Sequence, residues 1–191
     1  MKVGLFFGSF NPVHIGHMII ADYMAGFTDL DQVWLVVSPH NPLKPKATLA
    51  PDYDRLHLVR LAIGDHPGLR ASDIEFHLPK PSYTVDTLAY LREKYPDREF
   101  ALIMGGDNLV SLPRWKNYEV LLENYPIYVY RRPGFDGGEL EKSPNVRMID
   151  APLLEISASF IRECRKSGKS IRYLVPEAVY QYLETSHLYR K

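Results

Sequence analysis

The sequence predicts an α/β fold in which helices cover both faces of a parallel sheet. Short apolar runs rich in β-branched and aromatic residues recur along the chain, as buried strands require. The stretches between these runs are too long for hairpin turns, and several of them place apolar residues at helical spacing. Such an alternation of strands and helices is typical of parallel sheets, whose ligands bind at the carboxyl ends of the strands.

The individual elements follow from these patterns in chain order. Four strands are expected, over residues 3–7, 33–38, 100–105 and 127–130. Helices are expected over residues 15–26, 53–63 and 85–95, and loops over residues 8–14, 39–51, 105–112 and 131–138. The end of the chain, residues 157–191, is expected to form a small helical C-terminal part. Its helix breaks near residues 168–173 and resumes from Pro176, because proline suits a first helical turn.

Length and composition bound the class of protein. The chain has 191 residues and a domain typically has about 150, so we expect one domain over residues 1–191, with residues 156–191 as a helical subregion. Because 23 Lys and Arg residues balance 23 Asp and Glu residues, a basic protein that coats a nucleic-acid polymer is excluded. The apolar runs are too short for a signal peptide or a membrane span. We expect a cytoplasmic protein without a membrane partner; whether it forms a homo-oligomer stays open.

The loop after the first strand has the composition of a phosphate-binding turn. It reads GSFNPVHIGH over residues 8–17, where Gly8 permits close approach of the backbone and Ser9 can bond a turn amide. His14 and His17 fall on one face at the start of the next helix, where unpaired N–H groups attract anions. Two alternatives stay open: the histidines only cap the helix, or they bind zinc, for which a third ligand is missing nearby.

Two short strings resemble known ATP-handling motifs. HIGH, over residues 14–17, is similar to the HxGH signature of the nucleotidyltransferase superfamily and to the HIGH box of class I aminoacyl-tRNA synthetases. ISASFIR, over residues 156–162, resembles the ISSTxIR element of the nucleotidyltransferases, with Ala158 in place of a hydroxyl residue. The synthetase alternative is disfavoured, because the short neutral chain has little room for anticodon recognition and KSGKS, over residues 166–170, resembles the second synthetase motif only faintly.

Further strings narrow the resemblance to one family. PSYTVDTL (81–88), GGDNLVSLPRWKNY (105–118), RRPGF (131–135) and the ending YLVPEAVYQYLETSHLY (173–189) occur in the order and spacing of bacterial-type nicotinate mononucleotide adenylyltransferases. The resemblance covers essentially the whole chain and implies a Rossmann-like sheet. Departures from the family pattern are Phe7 for glycine, Ser9 for threonine, Asn11 for aspartate and Ala158 for serine.

The resemblance implies a reaction and a set of site residues. ATP would transfer its adenylyl group to nicotinate mononucleotide, giving nicotinate adenine dinucleotide and pyrophosphate. His14, His17 and Arg162 would be catalytic, and no metal site would be formed by the protein, because Mg²⁺ would arrive with ATP. The implied ATP-binding residues are Gly8, Ser9, Phe10, His14, His17, Gly105, Asp107, Arg132, Ile156, Ser157, Ser159 and Arg162. The implied mononucleotide-binding residues are Asn41, Lys44, Tyr83, Thr84 and Trp115.

Several alternatives remain at the level of sequence. A phosphopantetheine adenylyltransferase would use the same HxGH chemistry, although PSYTVDTL and the string around Trp115 disfavour it. A nucleotide sensor could keep the fold and bind ATP without turnover, and Ala158 gives that hypothesis slight support. Trp115 itself could stack on a pyridine ring or pack in the core, and Ser157 or Ser159 could serve only as an N-cap.

Overall fold

One parallel sheet organises the molecule. The computed structural model describes residues 1–39, 49–135 and 138–190. Its strands are β1 (Lys2–Gly8), β2 (Gln32–Val37), β3 (Leu69–Ser72), β4 (Glu99–Gly105), β5 (Ile127–Tyr130) and β6 (Val146–Ile149). They lie in the order β3-β2-β1-β4-β5-β6, and every neighbouring pair is parallel.

Helices connect the strands and cover both faces of the sheet. They are α1 (Ile15–Phe27), α2 (Asp52–Ile63), α3 (Thr84–Lys94), α4 (Gly106–Ser111), α5 (Tyr118–Asn124), α6 (Ala158–Lys166) and α7 (Glu177–Thr185). Within the described residues, none of them combines the length and apolar content needed to cross a membrane. The predicted α/β fold, with helices on both faces of a parallel sheet, is confirmed.

The core consists of two apolar clusters, one on each face of the sheet. Alternation along the strands separates them: Phe6 of β1 belongs to the first cluster and Leu5 to the second. The first cluster includes residues of α1, α2, α6 and α7, and the second includes residues of α3, α4 and α5. Because side chains alternate between the faces of a strand, every central strand must be apolar on both sides, which explains the continuous apolar runs of the sequence.

Some elements differ from the sequence expectation. The four predicted strands are present, but β3 and β6 were not predicted, because each is a four-residue edge strand interrupted by an arginine, Arg70 or Arg147. Residues 105–112 were expected to form a loop; instead α4 begins directly after β4, and its apolar residue Leu109 is buried in the second cluster. These short elements are stabilised by their contacts with the rest of the sheet and core, and they are too short to show a periodic pattern in the sequence.

The C-terminal helices pack beside the start of α1. Ile161 of α6 and Val179 of α7 belong to the same apolar cluster as Ile20 of α1. The main-chain N–H of Ile15 donates a hydrogen bond to the carbonyl of Leu174 at 3.0 Å. This packing brings residues 157–162 to the loop that follows β1.

A cluster of charged side chains connects the strands at the amino-terminal end of the sheet. The carboxylate of Asp29 accepts hydrogen bonds from Lys2 at 2.7 Å, from Arg147 at 3.0 Å and from the hydroxyl of Tyr128. These hydrogen bonds, of which the one from Lys2 has the largest effect, hold the pKa of Asp29 well below its usual range. The cluster joins β1, β5 and β6 at the end remote from the strand carboxyl ends.

Candidate active site

A cavity of about 800 Å³ opens where the strand order reverses, between β1 and β4. This is the position at which open parallel sheets bind ligands, and the volume falls within the usual range of ligand pockets. The structure places most of the implied ATP-binding residues on its wall: Gly8, Ser9, Phe10, His14, His17, Asp107, Arg132, Ile156, Ser157, Ser159 and Arg162. Phe7 and Ala158, two of the departures from the family pattern, also line it.

The turn after β1 bends sharply at Phe10. Its φ of 44° lies in the left-handed region, which a bulky residue adopts only when the surrounding structure enforces it. The Phe10 ring packs edge-on against Phe6 and His17 and is 1% exposed, so this residue offers a ligand little beyond its main chain. Gly8 makes room for it, because a Cβ at Gly8 would lie 2.9 Å from the Phe10 ring.

His14 and His17 form a reciprocal cap at the start of α1. The N–H of His14 donates to Nδ1 of His17 at 3.2 Å, the N–H of His17 donates to Nδ1 of His14 at 3.4 Å, and the rings stack with centroids 3.6 Å apart. An imidazole that accepts at Nδ1 carries its proton at Nε2 when neutral. The histidines therefore cap the helix and line the cavity at once, and Nε2 carries the proton in the neutral ring.

Burial sets the charge of His14. Its exposed fraction is 6%, and burial, followed by the nearby charge of Arg132, lowers its pKa to about 4. His14 is thus a neutral hydrogen-bond donor at pH 7. The glycine of the HxGH string serves this arrangement, because a Cβ at Gly16 would lie 3.1 Å from two atoms of the His14 ring.

The first turn of α6 faces the same cavity. Ser157 is the N-cap, and its Oγ accepts from the N–H of Phe160 at 3.1 Å. Arg162 donates from Nη1 to the carbonyl of Asn11 at 2.8 Å and from Nη2 to Oγ of Ser159 at 3.1 Å. The N-cap role predicted for a serine therefore belongs to Ser157, while Ser159 orients Arg162.

Asp107 and Arg132 lie at the carboxyl ends of β4 and β5. Nη1 of Arg132 is 3.5 Å from Oδ2 of Asp107, while Oδ1 of Asp107 is buried and has no hydrogen-bond partner within the described part of the chain. Gly105 does not line the cavity; a Cβ there would lie 2.5 Å from Oδ1 of Asp107. Gly105 thus makes room for the Asp107 carboxylate, and its assignment to ATP binding stays a prediction.

Tyr83, Thr84 and Trp115 do not line this cavity, and Lys116 connects the segment of Trp115 to the start of α3. Tyr83 is the N-cap of α3 and Thr84 its first residue. Nζ of Lys116 lies 4.9 Å from the centre of the Tyr83 ring and 2.8 Å from Oδ2 of Asp86. The ring of Trp115, next to Lys116, is half-buried and packs against the second apolar cluster. Asn41 and Lys44 fall outside the described residues.

Sequence reasoning missed three groups near the site. Phe135, Leu153 and Leu154 add an apolar wall to the cavity. Glu75 is 3% exposed, accepts from Oγ1 of Thr87 at 3.0 Å, and has its pKa raised by burial. Arg55 is fully buried behind the turn after β1. The only signal for Arg55 was a charged residue flanking the apolar positions of a predicted helix, which is normally a solvent-exposed position.

Metal-binding side chains are sparse among the residues described. No group of three or more His, Cys, Asp or Glu side chains in residues 1–39, 49–135 and 138–190 lies close enough to hold a metal ion. His14 and His17 therefore have no third protein ligand of these types in that part of the chain.

Comparisons with known proteins identify the family. The Cytidylyltransferase-like family matches residues 5–164. A relative from Flavobacterium johnsoniae, named "Probable nicotinate-nucleotide adenylyltransferase", is 54% identical, and one of the same name from Flavobacterium psychrophilum is 56% identical; each alignment covers 100% of both chains. The chain belongs to the nicotinate-nucleotide adenylyltransferase family.

A solved nicotinate-nucleotide adenylyltransferase structure shares the fold. The Plasmodium falciparum nicotinic acid mononucleotide adenylyltransferase complexed with NaAD superposes with a TM-score of 0.84 at 21% identity, covering 98% of this chain and 97% of that one. The family predicted from the HxGH, PSYTVDTL and ISASFIR strings is confirmed. The residues of KSGKS, which resemble a synthetase motif, do not line the cavity.

Proposed function

We propose that this chain transfers the adenylyl group of ATP to nicotinate mononucleotide, forming nicotinate adenine dinucleotide and releasing pyrophosphate. The observation that carries the proposal is the convergence of His14, His17 and Arg162 on one cavity at the carboxyl ends of β1 and β4. Full-length relatives bearing the corresponding name support the choice of acceptor.

The chemistry requires positioning more than proton transfer. A phosphate oxygen of the mononucleotide attacks the α-phosphorus of ATP, and the bond from that phosphorus to the bridging oxygen of the β-phosphate breaks. Because the attacking phosphate is already ionised at neutral pH, no general base is needed, and catalysis rests on alignment and stabilisation of charge. This chemistry needs no serine or cysteine nucleophile.

His14, His17 and Arg162 would act as donors to the reacting phosphates. Because each ring accepts a main-chain N–H at Nδ1, Nε2 is the ring nitrogen that can donate to a phosphate oxygen, and the neutral His14 can do so without changing charge. Arg162 and Arg132 would balance the negative charge that builds up on the departing pyrophosphate. Ser159 and the carbonyl of Asn11 fix the orientation of the Arg162 guanidinium.

Mg²⁺ would enter with the triphosphate. The ion usually keeps phosphate and water ligands and takes only one or two carboxylates from a protein. When bound, Mg²⁺ would neutralise phosphate charge. The unpartnered Oδ1 of Asp107 is a suitable acceptor for a ribose hydroxyl or for a water molecule held by the ion.

The acceptor nucleotide would lie toward the start of α3. The positive end of the helix dipole at Tyr83 and Thr84 attracts a carboxylate such as that of nicotinate, and Lys116 adds a cation beside Tyr83. The exposed face of Trp115 would stack on the pyridine ring. The mononucleotide phosphate contacts implied for Asn41 and Lys44 remain predictions from the resemblance.

One assay separates this proposal from its alternatives. The purified protein is given ATP and Mg²⁺ with nicotinate mononucleotide, nicotinamide mononucleotide or phosphopantetheine in separate reactions, and pyrophosphate and dinucleotide are measured together. We expect fastest release with nicotinate mononucleotide, and loss of turnover in a folded His17→Ala variant. Release with phosphopantetheine alone would reverse the acceptor assignment, and no release with any acceptor would favour a nucleotide sensor.

A further inference from the structure

Arg55 is a fully buried arginine behind the turn after β1. Its exposed fraction is 0%. Nε donates to the carbonyl of Ala50 at 3.0 Å, Nη1 donates to the carbonyls of Ser9 at 2.5 Å and Ser38 at 2.8 Å, and Nη2 donates to the carbonyl of Pro39 at 3.2 Å. Nη2 also donates to Oδ1 of Asp52 at 2.7 Å. A guanidinium has five N–H donors, and these five bonds match that number.

The acceptors belong to separate segments at the carboxyl ends of two neighbouring strands. Ser9 follows β1, Ser38 and Pro39 follow β2, and Ala50 precedes α2. Burying a charged group is costly unless it is paired and hydrogen-bonded, and here four main-chain carbonyls and the carboxylate of Asp52 meet that condition. Because the guanidinium is rigid and planar, its hydrogen bonds fix the positions of these segments relative to one another.

A second path leads from Arg55 to Arg162. Ala50, whose carbonyl accepts from Arg55, donates its own N–H to Oδ1 of Asn11 at 3.0 Å. The carbonyl of Asn11 in turn accepts from Arg162 at 2.8 Å. The turn over residues 9–11 is therefore held from behind by Arg55 and from the cavity side by Arg162.

The same group is linked to the segment that precedes α3. Asp52, the charge partner of Arg55, also lies 3.3 Å from Nζ of Lys80. In addition, the N–H of Ser38 donates to the carbonyl of Gly8 at 2.9 Å, so the ends of β1 and β2 are joined directly. Arg55 thus lies at the centre of contacts that connect the turn over residues 9–11 with the segment leading to Tyr83 and Thr84.

We propose that Arg55 is a positioning residue for adenylyl transfer: it fixes the turn over residues 9–11, and through Ala50 and Asn11 it fixes Arg162. The inference rests on the proposed function. Since Arg55 is fully buried and does not line the cavity, its loss should act on the alignment of the reacting phosphates rather than on the number of contacts that bind ATP. A misplacement of about 1 Å at a reacting group lowers turnover by roughly 100-fold.

The test compares Arg55→Lys with Arg165→Lys in the full-length protein. Arg165 is a matched control, because it is also buried and donates to the carbonyls of Leu183, Ser186 and Leu188 and to Glu184, away from the cavity. We expect Arg55→Lys to lower kcat by about 10-fold to 100-fold with a KM for ATP within about threefold of the parent. Arg165→Lys should change the melting temperature by a similar amount and leave kcat within about twofold.

Amide hydrogen exchange gives a readout that does not depend on turnover. Arg55→Lys should accelerate exchange at the amides of Ser38 and Ala50, which donate to the carbonyl of Gly8 and to Oδ1 of Asn11. Exchange at the centre of β4 should stay unchanged. If Arg55→Lys does not fold, Asp52→Asn removes the negative charge that pairs with Arg55 and Lys80 and keeps every main-chain contact of Arg55, and we expect a smaller loss of kcat in the same direction.

The outcomes are distinct. A parent protein that transfers no adenylyl group contradicts the proposed function, while exchange at Ser38 and Ala50 still decides whether Arg55 fixes the turn. If the parent protein is active, two results contradict the positioning role. In one, a folded Arg55→Lys variant keeps the kcat of the parent; in the other, its kcat falls no further than that of Arg165→Lys. Unchanged exchange at both amides also overturns it.

Discussion

The guanidinium of Arg162 donates to the main-chain oxygen of Asn11 across 151 residues of sequence. This bond connects α6 to the turn that follows β1, so segments far apart in the sequence together form part of the cavity wall. The first turn of α6 also supplies Ser157 and Ser159 to the wall. The helical C-terminal part is thus a component of the site and does more than cover the sheet.

Replacing Arg162 should reduce turnover far more than stability. In Arg162→Lys one ammonium group replaces a fork that contacts Asn11 and Ser159 together, so we expect kcat to fall by about 100-fold. Steady-state kinetics and thermal unfolding measure the two effects. Lys166→Met on the same helix is the control, since Lys166 is exposed and does not line the cavity. Equal kcat values for both variants would remove Arg162 from the reaction.

The low pKa of His14 predicts how stability depends on pH. Burial lowers this pKa from 6.5 to about 4, so in mild acid the unfolded chain binds a proton that the folded chain does not. His14 therefore contributes stability above pH 6.5 that is lost as the pH falls toward 4. Between pH 7 and pH 5 we expect a loss of about 2 kcal/mol in the free energy of unfolding.

Urea unfolding at pH 7 and pH 5 checks this value against His14→Gln. Glutamine does not titrate, so the variant should lose less stability than the parent over this pH interval, even if it is less stable at pH 7. The other titrating groups are common to both proteins and cancel in the comparison. The same pH dependence in parent and variant would show that His14 is not responsible.

Trp115 should affect the acceptor nucleotide and spare ATP. Its ring is not part of the wall of the 800 Å³ cavity, and the next residue, Lys116, contacts the ring of Tyr83. In Trp115→Phe we expect the KM for nicotinate mononucleotide to rise roughly threefold to tenfold through weaker stacking, with the KM for ATP unchanged. Trp34→Phe is the matched control, because Trp34 is buried in the core and should affect only stability. An unchanged KM for the mononucleotide would leave Trp115 with a packing role alone.

Asp29 should stabilise the fold without affecting catalysis. Its carboxylate joins Lys2, Tyr128 and Arg147 at the end of the sheet opposite the cavity. Because the side chain is 54% exposed, solvent screening limits the loss in Asp29→Asn to about 1 kcal/mol at pH 7. The lowered carboxyl pKa means that the difference from the parent shrinks below about pH 4.

Chemical unfolding across this pH range measures the effect, and kcat should stay unchanged. Asp22→Asn is a suitable control, since Asp22 is exposed and pairs only with His66 among the contacts described. A fall in kcat in Asp29→Asn would indicate that the two ends of the sheet are coupled.

The sequence predicted those features whose signal is local. The central strands are apolar on both faces, so β1, β2, β4 and β5 were found, while the short edge strands β3 and β6 depend on a neighbour for their hydrogen bonds. His14, His17 and Arg162 could be selected from the sequence because they occur in motifs, and they line one cavity; their catalytic roles stay predictions. Arg55 could not be selected, because the groups that it holds are main-chain carbonyls, which are identical at every position of a sequence.

The same property of Arg55 bears on how such a site can diverge. Its four main-chain acceptors keep their chemistry whatever side chains occupy residues 9, 38, 39 and 50. Mutations at these positions can accumulate without breaking the contacts, provided that the backbone path is kept. A framework built on carbonyls lets the surface around the cavity evolve while the reacting groups stay in place.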